Sequence, residues 1–334
     1  MIMEQLDPNA TVEESPSNSG VALLCWKCGA SLAEMTPETR TGSGLRVCPS
    51  CTSTTQYRDG IWRTLSPERV DHFSKFMAEY EFIRAAEGRG STQSEYYLSL
   101  PYKDISGRNS SQWKIRAHTF QIMERRIVRP LARRQKRPLR VLDLGAGNGW
   151  MAYRLALQGH LPVAVDLLTN EQDGLGAAIH YSKHIDPLFP RVQAELDRLP
   201  FASSIFDLVI FNASFHYSQS YERTFAEALR CTHPGGGVVI ADTPWYAQDE
   251  SGRRMVEEKH KHFAATYGFA SNSISSLEYL TPDRLHRLQI ASELEWNCIR
   301  PFYGLPWALR PLRAKLSSRR SPSQFRIYTA WVNA

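Results

Sequence analysis

Apolar positions change their rhythm along the chain, and the change marks its organisation. From Val141 onward short apolar runs alternate with stretches of helical spacing. Val141-Leu142-Asp143-Leu144 reads as a strand that stops at glycines, and Trp150 to Leu157 as a helix with Gly159 as its stop. Pro162 to Asp166 and Phe206 to Phe211 read as further strands, and Tyr221 to Arg230 as an amphipathic helix. A turn at Pro234 to Gly237 leads into a strand at Val238 to Ala241, and Ser323 to Val332 alternates as a late, antiparallel strand would. Strand, helix, strand in this order predicts a doubly wound α/β fold, its mostly parallel sheet covered on both faces. Right-handed crossovers then bring the strand C-terminal ends to one edge, where ligands bind.

Upstream, the pattern is helical and broken. His72-Phe73, Phe76-Met77, Tyr80 and Ile83 keep helical spacing, and a turn-rich stretch from Gly88 to Gly107 follows. Residues 66–135 are therefore expected to form a helical linker or lid ahead of a main domain at 136–334. Tyr96, Tyr97, Tyr102 and Trp113 either cover a pocket or simply pack. Residues 21–65 hold closely spaced cysteines and predict a compact unit, while residues 1–20 are polar and predicted disordered.

Composition narrows this picture only slightly. The 334 residues are 42% hydrophobic and 22% charged, with a net charge of +6, which suits an ordinary globular chain of one large and one small domain. There is no apolar run of the roughly 18 residues that a membrane span needs. The first residues lack the basic start and apolar stretch of a secretion signal, so a cytoplasmic protein is expected. Arg300 to Arg326 interleaves basic and aromatic residues, which suits nucleic acid, an anionic small molecule or a plain surface loop.

The strongest chemical signal is the run Gly145-Ala146-Gly147-Asn148-Gly149 after the first strand. Glycine lets the chain turn sharply and lets a ligand approach the backbone. The dinucleotide fingerprint fails here because its third glycine would fall at Trp150, and no Gly-Lys-Ser/Thr follows to make a P-loop. Asp166 ends the next strand about 20 residues on, where a carboxylate can accept from both hydroxyls of a ribose.

This segment resembles the first motif of class I S-adenosylmethionine-dependent methyltransferases. Glu195-Leu196-Asp197-Arg198-Leu199-Pro200-Phe201, Ser204 to Val209 and His233 to Gly237 resemble that family's later motifs, in the same order. The resemblance implies a seven-stranded sheet of Rossmann-like type and a methyl-transferring enzyme. It further implies that Asp143 and the backbone of Gly145, Ala146 and Gly147 face the methionine part of S-adenosylmethionine. Asp166 would hold its ribose, with Leu167 beside the adenine. Glu195 and Leu196 would read the adenine edge, and Asn212 would lie near the sulfonium. Relatives commonly carry Asp where Glu195 stands.

Cys25-Trp26-Lys27-Cys28 and Cys48-Pro49-Ser50-Cys51 are two knuckles spaced to hold one structural zinc ion by four thiolates. A redox pair is the other reading, but no βαβ pattern surrounds these cysteines. The segment from Leu24 to Ile61 resembles the zinc-ribbon activator subunits of tRNA and protein methyltransferases. A ribbon before a methyltransferase domain is also similar to the bacterial rRNA guanine methyltransferases, whose fourth metal ligand is commonly His rather than Cys.

A weak nucleophile needs a base, and His216 and Asp242, after the fourth and fifth strands, are the candidates; each has a packing or capping role as its alternative. Trp245 and Tyr246 either stack on a planar acceptor or pack. Lys259-His260-Lys261-His262 reads as an exposed helix face rather than a metal site. The expected acceptor is a small molecule or lipid-like metabolite. An RNA base is the second reading, and a non-catalytic partner-binding protein the third.

Overall fold

The computed structural model describes residues 21–35, 40 and 42–333. The tail expected at residues 1–20 lies outside them. In chain order the cysteine-bearing part forms β1 (Ala22–Leu24), β2 (Ser31–Glu34), β3 (Gly44–Val47), β4 (Thr54–Arg58) and β5 (Ile61–Arg63). The helical part follows as α1 (Pro67–Ala86), α2 (Ser94–Ser99), α3 (Ser110–Met123) and α4 (Arg129–Gln135), with a π-helical turn at Glu124–Val128. Then come β6 (Arg140–Leu144), α5 (Trp150–Ala156), β7 (Leu161–Asp166), β8 (Arg191–Gln193), β9 (Phe206–Asn212), α6 (Tyr221–Cys231) and β10 (Thr232–Ala241). The chain ends with α7 (Asp249–Tyr267), α8 (Pro282–Ser292), β11 (Asn297–Ile299), α9 (Leu305–Ala308), α10 (Arg310–Leu316) and β12 (Ile327–Trp331).

The central sheet runs β11-β12-β10-β9-β6-β7-β8-β5-β4-β3. Its first seven strands are the expected doubly wound sheet, with β6, β7, β8, β9 and β10 parallel and β12 antiparallel between β10 and β11. The order reverses beside β6, because β7 lies on one side of it and β9 on the other. Such a switch point opens a crevice at the strand C-terminal ends. The central strands are near-continuous apolar runs because both faces are covered, and β9 is buried at every position but its last.

Helix ends follow local chemistry. Ser66 accepts from the backbone of Arg69, Pro67 occupies the first turn of α1 and Glu68 sits at its positive end. Ser220 caps α6 in the same manner, and Tyr221, Thr224, Phe225 and Ala228 form its buried stripe. The turn expected at Pro234 to Gly237 is instead a bulged start to β10, where pairing with β9 shifts register between Thr232 and Gly237. Gly236 packs tightly there, since a Cβ would meet the Asp207 carbonyl.

The sheet does not stop at seven strands. β5 pairs in parallel with β8, and β4 and β3 continue outward, so the cysteine-bearing part extends the sheet to ten. Arg191 of β8 fixes this junction. It is fully buried, and its guanidinium donates to the carbonyls of Leu175 (3.1 Å), Arg40 (2.8 Å) and Asp59 (2.8 Å). Replacing it leaves three backbone acceptors without this donor, one of them buried. We expect Arg191→Met to destabilise the protein by about 3 kcal/mol, measured by denaturant unfolding; a change under about 1 kcal/mol would mean that the junction is held by β-pairing alone.

Candidate functional site

A cleft of roughly 860 Å³ opens at the switch point. Its floor is the glycine turn between β6 and α5. Gly145, Gly147 and Gly149 all have positive φ (72°, 54° and 75°), and a Cβ on Gly145 would strike the Ser214 side chain. The backbone of Gly145 and Ala146 donates to the Val165 carbonyl at 2.8 and 3.0 Å, tying the turn to β7. Asp166, the last residue of β7, accepts from the backbone of Gly147 and of Leu168, both at 2.8 Å. The turn and the carboxylate are thereby one unit.

Two oxygens in this cleft have no partner among the described residues. They are Oδ2 of Asp143 and Oδ1 of Asn212, both buried acceptors. Asp143 is the last residue but one of β6 and Asn212 ends β9, the two strands that flank the switch point. Burial pushes the Asp143 carboxyl up to about 8, with the neighbouring Asp166 adding to the effect. Asp166 is pushed up to about 6 by burial, against the pull of its backbone donors. An unanswered buried acceptor calls for a ligand that donates, and an unanswered carboxylate calls for a cation.

The opposite wall comes from the helical part. Phe76, Tyr80 and Arg84 of α1, Arg116 of α3 and Tyr217 line the cleft. Tyr217 meets Tyr80 edge-on at 5.6 Å and Phe76 at 6.3 Å. Arg84 pairs with Asp173, which also accepts from Asn148 of the glycine turn at 3.3 Å. The α1 residues are spaced i, i+4, i+8 on one face, a signal readable from sequence but hidden there among the other apolar positions. Tyr96, Tyr97 and Trp113 pack in the core, and Tyr102 is exposed, so none of these four lines the cleft.

Of the sequence-proposed ligand residues, Asp143, Gly145, Ala146, Gly147, Asp166, Leu167, Leu196 and Asn212 all border the cleft. Glu195 does not. Its carboxylate is gripped by Arg69 through two bonds of 2.8 and 2.6 Å and faces an adjoining smaller hollow. An adenine edge read by this carboxylate would share oxygens that already accept from Arg69 of α1. His216 and Asp242 are not among the lining residues, and Arg116 is within electrostatic reach of each. His216 is pushed down to about 4 by burial, so its ring is neutral. Asp242 is pushed up to about 6 by burial; Oδ1 accepts from Thr119 at 2.7 Å, and Thr119 also bonds the Tyr303 hydroxyl at 2.8 Å. Its Oδ2 has no partner among the described residues.

The four sulfurs of Cys25, Cys28, Cys48 and Cys51 lie within 4.8 Å of one another. Cys25 and Cys51 are 3.7 Å apart, and Cys28 and Cys48 3.6 Å. A zinc tetrahedron with bonds of about 2.3 Å has edges of about 3.8 Å, so the donor set fits that ion. Backbone bonds shape the knuckles: Gly29 donates to the Cys25 carbonyl at 2.9 Å and Thr52 to that of Cys48 at 3.0 Å.

Residues 142–240 match a family described as the methyltransferase domain. This stretch of the chain is a methyltransferase domain. Among curated proteins, the chain is 33% identical over 109 residues to a sarcosine/dimethylglycine N-methyltransferase of Halorhodospira halochloris, covering 33% of this chain and 39% of that one. It is 33% identical over 123 residues to a malonyl-[acyl-carrier protein] O-methyltransferase of Geobacter sulfurreducens, covering 36% and 44%. The match thus spans about two fifths of the length of these relatives. A solved structure of 1,6-didemethyltoxoflavin-N1-methyltransferase from Burkholderia thailandensis aligns with 88% of this chain and 100% of its own at 15% identity, TM-score 0.45. No helix among the described residues is long and apolar enough to cross a membrane.

The raised carboxyl of Asp143 in the methyltransferase domain has a sign that can be tested. A carboxyl ordinarily at 3.8 that sits near 8 when folded binds a proton more tightly in the native state. Its contribution is present below about pH 4 and is lost as pH rises towards 8. The thermal midpoint of ligand-free protein should therefore fall across that window, and Asp143→Asn should flatten the fall; parallel profiles for the two proteins would refute the burial of a proton at Asp143.

Proposed function

We propose that the chain is an S-adenosylmethionine-dependent methyltransferase acting on a small-molecule or lipid-like acceptor. The single observation that carries this reading is the pair of unanswered buried acceptors, Asp143 Oδ2 and Asn212 Oδ1, beside a glycine turn locked to Asp166. S-adenosylmethionine supplies a donor-rich ammonium, two ribose hydroxyls and an electrophilic methyl group when bound. Asp143 is suited to the ammonium, Asp166 to the ribose, Leu167 and Leu196 to the flat base. Gly145, Ala146 and Gly147 give that ligand access to the backbone, and Asn212 borders the reacting end.

The protein's own work in such a reaction is alignment and exclusion of water. Phe76, Tyr80 and Tyr217 supply an apolar wall, and Arg84 with Asp173 braces α1 over the turn. Where the acceptor must lose a proton, Asp242 is the base better matched in proton affinity, although like His216 it stands outside the cleft lining. Its carboxyl lies nearer neutrality than the His216 ring, and each holds one atom without a partner among the described residues, Asp242 Oδ2 and His216 Nδ1. The small-molecule reading draws support from the names of the curated relatives, which act on sarcosine, dimethylglycine and malonyl groups.

Calorimetry with S-adenosylmethionine and with S-adenosylhomocysteine tests the reading. Both should bind, and Asp166→Ala should weaken each by roughly a hundredfold while the fold persists, on the scale of two charge-assisted hydrogen bonds. No heat from well-folded protein would end the enzyme assignment. Transfer of labelled methyl into fractionated metabolite, lipid, RNA and protein pools then assigns the acceptor class.

We also propose that Cys25, Cys28, Cys48 and Cys51 hold a structural zinc ion. All four positions are occupied by protein donors, which leaves no open site for chemistry. Purified protein should contain about one equivalent of zinc, and Cys48→Ser or chelation should lower the thermal midpoint by roughly 5–10 °C. Less than half an equivalent, with no change on chelation, would leave the cysteines as free thiols.

A further inference from the structure

The segment between β11 and β12 has no place in the reading above. Residues 300–326 contain seven basic side chains and no acidic one. They also hold five of the exposed large apolar residues: Phe302 (62% exposed), Leu305 (69%), Leu309 (43%), Leu312 (55%) and Leu316 (79%).

These positions are ordered by helix geometry. α9 and α10 meet at Leu309, which keeps helical backbone angles. Leu309 donates to the Leu305 carbonyl and Arg313 to that of Leu309, so the two form one nearly continuous helix. At about 100° per residue, Leu305, Leu309, Leu312 and Leu316 fall within an arc of about 60°. Arg313 and Lys315 flank this stripe at about 80° on either side. The other face is turned to the protein: Trp307 stacks on Phe325 at 5.4 Å, and the Arg310 guanidinium lies 3.7 Å from the Trp307 ring centre. Arg313, Lys315 and Arg319 form no ion pair among the described residues, whereas Arg320 is tied to Glu258 at 2.6 Å.

We propose that the Leu305–Leu316 helix lies in the plane of an anionic lipid surface, leucines in the acyl boundary and Arg313, Lys315 and Arg319 at the headgroups. An apolar stripe edged by unpaired cations is the arrangement that such a surface recognises. RNA fits less well, because four leucines offer it neither donors nor stacking rings and Trp307 is already stacked inward. A second copy of the chain would bring one acid-free basic segment against another. The segment also touches the helix that walls the cleft: the Tyr303 hydroxyl bonds Thr119, one helical turn from the cleft-lining Arg116. Docking here would set the cleft near the bilayer.

Flotation of the full-length protein with vesicles tests this, using phosphatidylcholine alone and phosphatidylcholine with roughly a third phosphatidylglycerol. The protein should float with the anionic vesicles and not with the neutral ones. Leu312→Asp with Leu316→Asp should cut the bound fraction by roughly tenfold or more, and Arg313→Gln with Lys315→Gln should weaken it and reduce its salt dependence. Leu312→Ala with Leu316→Ala serves as the milder variant should the aspartates disturb folding. Calorimetry with S-adenosylhomocysteine on the same proteins reports on the cleft separately, so loss of vesicle binding with unchanged heat concerns this helix alone. The proposal is overturned if wild-type protein ignores anionic vesicles, if the leucine variants float as wild type does, or if these substitutions abolish RNA binding or self-association instead.

Discussion

Asp143 is a carboxylate held out of water with one oxygen unanswered, at the point where the sheet changes direction. That constraint organises the cleft. A charge of this kind is tolerated only when something compensates it, by a proton or by a cation. Neither arginine of α1 that reaches this region answers it: Arg84 pairs with Asp173 and Arg69 with Glu195. Those two ion pairs fasten α1 across the glycine turn and leave Asp143 to whatever enters. Asp166 differs, since both of its oxygens are held by backbone donors from Gly147 and Leu168.

Elements whose causes are local were legible in sequence. The glycine turn, its Asp166 partner and the apolar runs of β6, β7 and β9 announce themselves within a few residues, because positive φ and double-sided burial restrict residue choice on the spot. The knuckles around Cys25 and Cys48 are equally local. What escaped depends on partners far away in the chain. Glu195 looks free for a ligand until Arg69 arrives from 126 residues upstream. β8 is three residues long and carries no periodic signal. Phe76 and Tyr80 read as generic helix positions, and only the packing of α1 over the sheet makes them a wall.

The Asp242 cluster shows the same limit on a smaller scale. Sequence places Asp242 at the end of a strand, where capping and chemistry look alike. The structure surrounds it with Thr119 from α3 and, through that hydroxyl, Tyr303 from the segment before β12. Three regions of chain, brought together only by folding, decide how tightly that carboxyl keeps its proton.

The pairing of β5 with β8 has a further meaning. Without it, β8 would be a bare three-residue margin beside Ala194 and Leu196, which border the cleft. A bare margin invites pairing with foreign strands. A separate protein could shield it only in proportion to its own abundance. Here the shield is tethered to the strand it protects, so its occupancy is unimolecular and survives any dilution.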